Sequence, residues 1–483
     1  MITFFISIIL LIVGYFTYGK YIDKMFGPKN DRPTPAHDQT DGVDYIPMST
    51  PKNSMIQLLN IAGVGPIFGP IMGALYGPVA FIWIVIGSIF AGAVHDYLTG
   101  MISIRNKGAH LPALASKFLG DGMKHVVNLF TLLLLVLVGT VFVTSPAILL
   151  HSLMDGRIAL GIILAVIFLY YFLSTILPID KIIGTIYPFL GAILLISAIG
   201  IGFRLVQTGA PIPELTLSNM HPDNAPIFPL LFFTITCGAL SGFHATQSPI
   251  ISRTTQKESN GRQIFYGMMI AEGVIAMVWA AAAMSMFDGY GGLSQVLAQG
   301  EAALVVSEAS TLLLGSVFGT IAILGVIVLP ITSGDTAFRS ARMIVADYFS
   351  ISQQKYWKRF AIAVPMFVIS YGLTQIDFTI LWRYFSWANQ MTSVIALWVG
   401  VMYLLLAKKN HWVATIPAIF MTFNVVTYIL YAQIGFGLDL NVSYAGGVVG
   451  TILWIAYFYR IYRKTVGQED FLLDYPIPAK AKA

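Results

Sequence analysis

Four stretches of this 483-residue chain carry residues whose types and spacing could do chemistry. One is Ala93-Val94-His95-Asp96-Tyr97, a histidine beside a carboxylate. Histidine titrates near neutral pH, so the pair reads either as a proton relay or inner gate, or as a hydrogen-bonded pair fixing a helix end. Adjacent helical residues point about 100° apart, which predicts that His95 and Asp96 do not share a face. Another is Cys237-Gly238-Ala239-Leu240-Ser241-Gly242-Phe243-His244-Ala245-Thr246-Gln247-Ser248-Pro249, where polar side chains and glycines crowd one apolar run. A third, Thr332-Ser333-Gly334-Asp335-Thr336, offers three hydroxyls and a carboxylate, oxygen groups suited to a hard cation or a proton. Asp335 also stands four residues before Arg339, so an ion pair within the helix is the plain alternative. The fourth, Gly63-Val64-Gly65-Pro66-Ile67-Phe68-Gly69-Pro70, works through its backbone. Proline lacks an N–H and clashes with the carbonyl four residues back, so Pro66 is expected to release the Ala62 carbonyl and Pro70 that of Pro66.

All four stretches lie in segments apolar enough to be membrane spans. The composition is 57% hydrophobic and 11% charged, with mean hydropathy +0.76, which places the chain among polytopic membrane proteins. Runs of about 20 apolar residues number 13, near 2–19, 54–76, 78–104, 123–150, 157–178, 183–206, 228–252, 263–287, 313–340, 358–376, 382–407, 412–434 and 444–464. The run 2–19 lacks a basic leader and a small-residue cleavage site, so it reads as a retained first span. On this count all of the 28 Lys and Arg except Arg157, Arg204 and Arg383 fall on one side. The positive-inside rule then puts the N-terminus outside and the C-terminus in the cytoplasm. Connections are short, apart from a cytoplasmic stretch 20–52 that reads as a loose connector and an outward loop 288–311 with helix-like spacing.

In hydrocarbon a freed carbonyl costs several kcal/mol unless something binds it. A broken span therefore marks a cavity or a buried packing kink, and the runs 54–76 and 228–252 both carry such breaks. The first enters from the cytoplasm and the second from outside, and each is followed by four further spans. That predicts an inverted repeat of two five-helix units, 54–206 and 228–407. Around them lie 1–53, two extra spans within 412–464, and a tail 465–483. A solute would sit between the breaks, an anionic group on half-helix N-termini near Phe68 and Gly242 and a cation on freed carbonyls. In the run 382–407, Trp382 and Tyr384 read as interfacial, and Asn389 and Gln390 either line a cavity or bridge helices. The single cysteine, Cys237, excludes an internal disulfide. No HExxH or paired-cysteine metal signature and no Walker-type phosphate loop is present.

The strings Asn60-Ile61-Ala62-Gly63 through Pro70, Gly77-Pro78, Gly92 to Asp96, Ser241 to Gln247, Thr332 to Arg339 and Trp382 to Gln390 together resemble the carbon starvation protein A family. The resemblance runs from about residue 45 to 407, and the chain looks like a shorter member. It implies an inner-membrane uptake system switched on when carbon is scarce, linked to peptide use and in some members to pyruvate uptake with protons. It also implies an all-α, LeuT-like 5+5 fold. In that fold hydroxyls such as Thr332 and Ser333 would hold sodium with the carbonyls near Ala62 and Gly63.

The sequence thus predicts a secondary transporter importing a small carboxylate such as pyruvate, or short peptides, with H+ or Na+ as coupling ion. No other cofactor, no metal, no nucleic-acid partner and no enzymatic activity is expected. Substrate is assigned to Gly63, Gly65, Pro66, Phe68, Gly69, Pro70, Ser241, Gly242, Phe243, His244 and Gln247. Coupling is assigned to Ala62, Thr332, Ser333, Asp335, Thr336, His95 and Asp96. Because the broken segments contain no Asp or Glu for a peptide's amino group, the carboxylate is favoured. A passive pore is one alternative. An intramembrane enzyme would need His95, Asp96 and His244 within hydrogen-bond reach. His95 lies about 25 Å from Pro78 along its helix, near the inner interface, which separates it from His244 at mid-depth.

Overall fold

Apolar runs in lipid must satisfy every peptide group internally, and a helix does so within one segment. The computed structural model describes residues 1–154, 156–176 and 183–466. Lys181, Lys480, Lys482 and the tail from 467, used in the charge argument, lie outside the described residues. Among the described residues the regular structure is helical, with one isolated bridge, Met48 to Thr255.

Nine of the described helices are long and apolar enough to cross a membrane, or ten if the bent pair Thr50–Ala62 and Gly65–Tyr76 is one span. This is fewer than the 13 runs read from sequence. The remainder appear as Leu160–Ile176, the pair Ile227–Thr234 and Gly242–Ser252, and Tyr356–Leu373. The first three fall short of the roughly 20 residues a crossing helix needs, and the last carries Lys358 and Arg359 in its first turn.

Two connections differ from expectation. The stretch 20–52 is not loose. It contains the helix Pro35–Asp38, and the Asp41 carboxylate accepts the N–H groups of Val43, Asp44 and Tyr45 at 2.8, 2.9 and 2.9 Å. Asp44 is 5% exposed and pairs with Arg339 at 3.1 Å and Arg342 at 3.5 Å. Buried Glu258 accepts from the Lys29 N–H at 2.8 Å and pairs with Arg32 at 3.1 Å and Arg105 at 3.0 Å. The physical reason is charge. Arginines buried at helix ends are costly without a counter-ion, and the connector supplies it. The stretch 288–311 is helical too, within Gly289–Tyr348, whose regular course is interrupted at Gly315 with φ +75°.

The two interrupted helices run through the centre. Residues 56–71 and 235–255 are buried without exception, whereas Ile2–Phe16 exposes Ile2, Phe5, Ile6 and Ile9 where lipid would lie.

Candidate functional site

The first interruption separates Thr50–Ala62 from Gly65–Gly73, with a 45° bend across the pair. It falls at Gly63, whose φ of +50° L side chains rarely adopt and where a Cβ would meet the Phe142 ring at 2.5 Å. Pro66 is not the breaker. It sits in the first turn of the second half-helix, where its missing N–H costs nothing. Val64 caps that turn by accepting the N–H groups of Ile67 and Phe68 at 3.1 and 2.8 Å. The second interruption unwinds 235–241 between Ile227–Thr234 and Gly242–Ser252. The two meet directly. A Cβ at Gly65 would lie 2.2 Å from the Cys237 Cβ, and one at Gly69 would lie 2.8 Å from the Thr234 carbonyl oxygen.

Backbone groups freed in a buried segment must find partners, and here the protein supplies them. Trp83 Nε1 donates to the Ile235 carbonyl at 2.9 Å, Ser88 Oγ to that of Gly238 at 2.7 Å, and Gln390 Nε2 to that of Leu240 at 3.2 Å. Ser88 reaches across from the π-helical turn Gly87–Gly92. The Asn389 Oδ1 accepts the Phe243 N–H at 2.7 Å and the Ser241 hydroxyl at 3.1 Å, capping Gly242–Ser252 from another helix. Asn389 and Gln390 therefore bridge helices. The open carbonyls and open half-helix N-terminus expected near Gly242 are already occupied by side chains. Asn389→Ala leaves a buried N–H without its acceptor, a loss of about 1–3 kcal/mol. Thermal unfolding in detergent should show it, and a wild-type melting temperature would refute the cap.

Beside this break four ionisable side chains meet. His95 Nδ1 lies 2.8 Å from Asp96 Oδ1, and His244 Nδ1 lies 2.9 Å from Asp96 Oδ2. His244 Nε2 faces Glu272 Oε2 at 3.5 Å. All four residues are buried. One reading holds here and one expectation fails. His95 and Asp96 form the hydrogen-bonded pair that was one of the two readings of this dipeptide. His244 is not separated from them, because Ala93–Arg105 and Gly242–Ser252 lie side by side, with the Ser252 hydroxyl donating to the Gly100 carbonyl at 2.9 Å. Acidic groups therefore do reach the break, carried by neighbouring helices, and the sequence argument against a peptide falls with that. Glu272, on Met268–Ser285, was missed. Its signal was a lone carboxylate inside the run 263–287, which in a membrane is a functional candidate by default.

On the other side, the Ser333 hydroxyl donates to the Leu59 carbonyl at 2.6 Å, one turn before the Ala62 and Gly63 carbonyls expected there. Thr332 Oγ1 donates to the Leu329 carbonyl at 2.7 Å and Thr336 Oγ1 to that of Ser333 at 3.0 Å. Asp335 accepts from Ser174 at 2.5 Å, Tyr187 at 2.7 Å and Tyr170 at 3.3 Å, while the ion pair of Arg339 is made with Asp44. The aromatic hydroxyls around the carboxylate replace the in-helix pairing as the local arrangement. Between these two clusters lie buried amides with unused polar atoms, namely both of Gln57, both of Asn60, Gln247 Oε1 and Asn389 Nδ2. Gln57 was passed over at the sequence level, and Asn60 was given no role beyond its place in the family-like string. Their three-residue spacing puts them on one helix face. Asn53 Nδ2 bonds the Thr254 carbonyl at 3.0 Å, and Gly65 meets Cys237. The two chain segments therefore run antiparallel.

Paired interrupted helices around a buried polar centre, in a multi-pass membrane chain whose described residues are helical, mark the class as a membrane transporter. Residues 1–221, 157–293 and 286–428 match carbon starvation protein CstA, and the chain belongs to that family. An uncharacterized membrane protein of Haemophilus influenzae is 47% identical over 352 residues, covering 62% of this chain and 95% of its own. The peptide transporter CstA of Bacillus subtilis is 24% identical over 535 residues, covering 87% and 89%. Among solved structures, the Eremococcus coleocola manganese transporter in complex with an aromatic bis-isothiourea substituted compound superposes with TM-score 0.56. It is 14% identical and covers 88% of this chain and 99% of that one. MhsT in complex with L-phenylalanine also gives 0.56, at 11% identity, covering 84% and 98%. At these identities the likeness shows the fold alone, the LeuT fold. The reach that an enzyme would need exists among His95, Asp96 and His244, yet family and fold neighbours are transporters, not enzymes.

Proposed function

We propose that this chain imports short peptides across the cell's inner membrane by coupling to an inward cation gradient, H+ or Na+. The observation that carries the reading is the meeting of two interrupted helices beside buried amides with unused donors and acceptors. Gln57, Asn60, Gln247 and Asn389 match the hydrogen-bonding of a peptide bond, and the similarity to the peptide transporter CstA of Bacillus subtilis agrees with a peptide. A small carboxylate such as pyruvate is the second reading, supported by the same amide donors. The transport core is two oppositely oriented five-helix units, 54–206 and 228–407, with the N-terminus outside and the C-terminus cytoplasmic. The coupling cation sits near Ser333, Thr336 and the Leu59 carbonyl.

Reconstitution into liposomes tests this. Labelled dialanine should accumulate above its outside concentration under an imposed proton or sodium gradient and drain when the matching ionophore is added. His244→Ala, in the same vesicles, should stop uptake while the protein still folds, at a lowered melting temperature because Asp96 and Glu272 lose their buried partner. Accumulation of pyruvate but not dialanine would promote the second reading. Equilibration of either without counterflow would describe a passive pore and overturn both.

A further inference from the structure

We propose that Cys237, His244 and Glu272 form a binding site for a divalent transition-metal ion of the zinc class at the second interruption. One ligand atom from each residue lies within 4.8 Å of the other two, and all three side chains are fully buried. The histidine is already set for the task. Its Nδ1 is bonded to Asp96 Oδ2 at 2.9 Å, which leaves Nε2 facing Glu272. A metal-bound histidine almost always has its other ring nitrogen held by a carboxylate or carbonyl, which fixes the tautomer and raises the basicity of the ligating nitrogen. Asp96 is itself held by His95 at 2.8 Å, so the orienting group is anchored in turn.

Unused valence gives the second line of argument. His244 Nε2 and the Glu272 carboxylate meet only at 3.5 Å, too long for a hydrogen bond, and a carboxylate so thinly partnered in such a setting is costly. A doubly charged cation satisfies both groups at once. Sulfur, nitrogen and one carboxylate exclude magnesium and calcium, which take six or more oxygens, and suit zinc and its first-row neighbours. Ligands around zinc stand roughly 3.5 Å apart, so small side-chain rotations close the present gaps. Cys237 gives up a weak 3.3 Å contact to Ser241 Oγ and releases its thiol proton to solvent as the sulfur–metal bond forms. The three ligands come from an unwound segment, the start of one helix and the middle of another, so no contiguous motif announces them. The site is independent of which solute is carried.

The test uses the purified full-length protein in detergent, stripped of metal and titrated with cobalt(II). One equivalent should bind, giving thiolate-to-cobalt charge-transfer absorption and visible bands of four-coordinate strength, with a water completing the three protein ligands, and zinc should displace it. Cys237→Ser should abolish the charge-transfer band, and Glu272→Gln should weaken binding at least about 10-fold. Asp96→Asn should weaken it about 10- to 100-fold through the orientation of His244. Melting temperature and elution volume establish that each variant is folded. Wild-type protein that retains no cobalt overturns the proposal and leaves the cluster a proton-holding network. A band unchanged in folded Cys237→Ser overturns it equally.

Discussion

Gly242→Ala is expected to abolish uptake and to lower stability by more than any other single methyl group added at the breaks. An alanine Cβ there would lie 2.1 Å from the Asn389 carbonyl oxygen, 2.4 Å from the Ser393 nitrogen and 2.7 Å from the Thr392 Cβ. Two of the three are main-chain atoms of the helix Phe378–Leu406, so no side-chain rotation relieves the clash. Overpacking a close-packed interior costs about 1–3 kcal/mol and occasionally more, and rigid backbone on both sides places this site at the upper end. The forced separation also withdraws Asn389 from the Phe243 N–H and the Ser241 hydroxyl, unsealing the start of Gly242–Ser252. Uptake in liposomes and unfolding in detergent read the two consequences separately. Wild-type rates from the alanine variant would show that the helices do not approach so closely in the working protein.

Asp44→Asn carries the other large effect. Its carboxylate is buried between Arg339 and Arg342 at 3.1 and 3.5 Å. Removing one partner of a buried ion pair leaves an uncompensated charge and costs about 3–5 kcal/mol. Burial by itself would push the Asp44 carboxyl up, but Arg342, Arg339 and Arg253 together hold it below its usual 3.8. A carboxyl depressed on folding stabilises the folded form fully above that usual value, and the contribution disappears as pH falls through the depressed one. Wild-type protein should therefore lose connector docking in acid, and the asparagine variant should resemble that state at neutral pH. Trypsin reports it directly, since Lys20, Lys24, Lys29, Arg32 and Lys52 lie along the connector. A cleavage pattern and melting temperature identical to wild type would refute the clamp.

Much of the architecture was legible because lipid imposes simple rules. The glycine- and proline-rich stretch 63–70 and the glycines of the run 228–252 marked both interruptions, although the breaker in the first is Gly63 and not the prolines that the sequence points to, and hydrophobic length marked most helices. The chemistry was less legible because it is assembled across the chain. Trp83, Ser88 and Gln390 reach the carbonyls of 235, 238 and 240 from other helices, and no local spacing signals that. The reading of 20–52 as loose failed for a related reason. Its proline and aspartate content looked like a linker, whereas its order comes from arginines more than two hundred positions away. The separation expected between His95 and His244 failed differently, since depth along one helix says nothing of a neighbouring helix lying alongside it.

The contact between Gly65 and Cys237 has a consequence for how tightly any cargo can be held. On the import proposal, a passenger seated between the two chain crossings, which are in van der Waals touch, would first have to wedge them apart. The free energy of that wedging is subtracted from whatever attraction the surrounding amides supply, so apparent affinity falls with the scarcity of the parted form. On that proposal a loose grip follows from the architecture itself, and it would favour quick unloading on the far side.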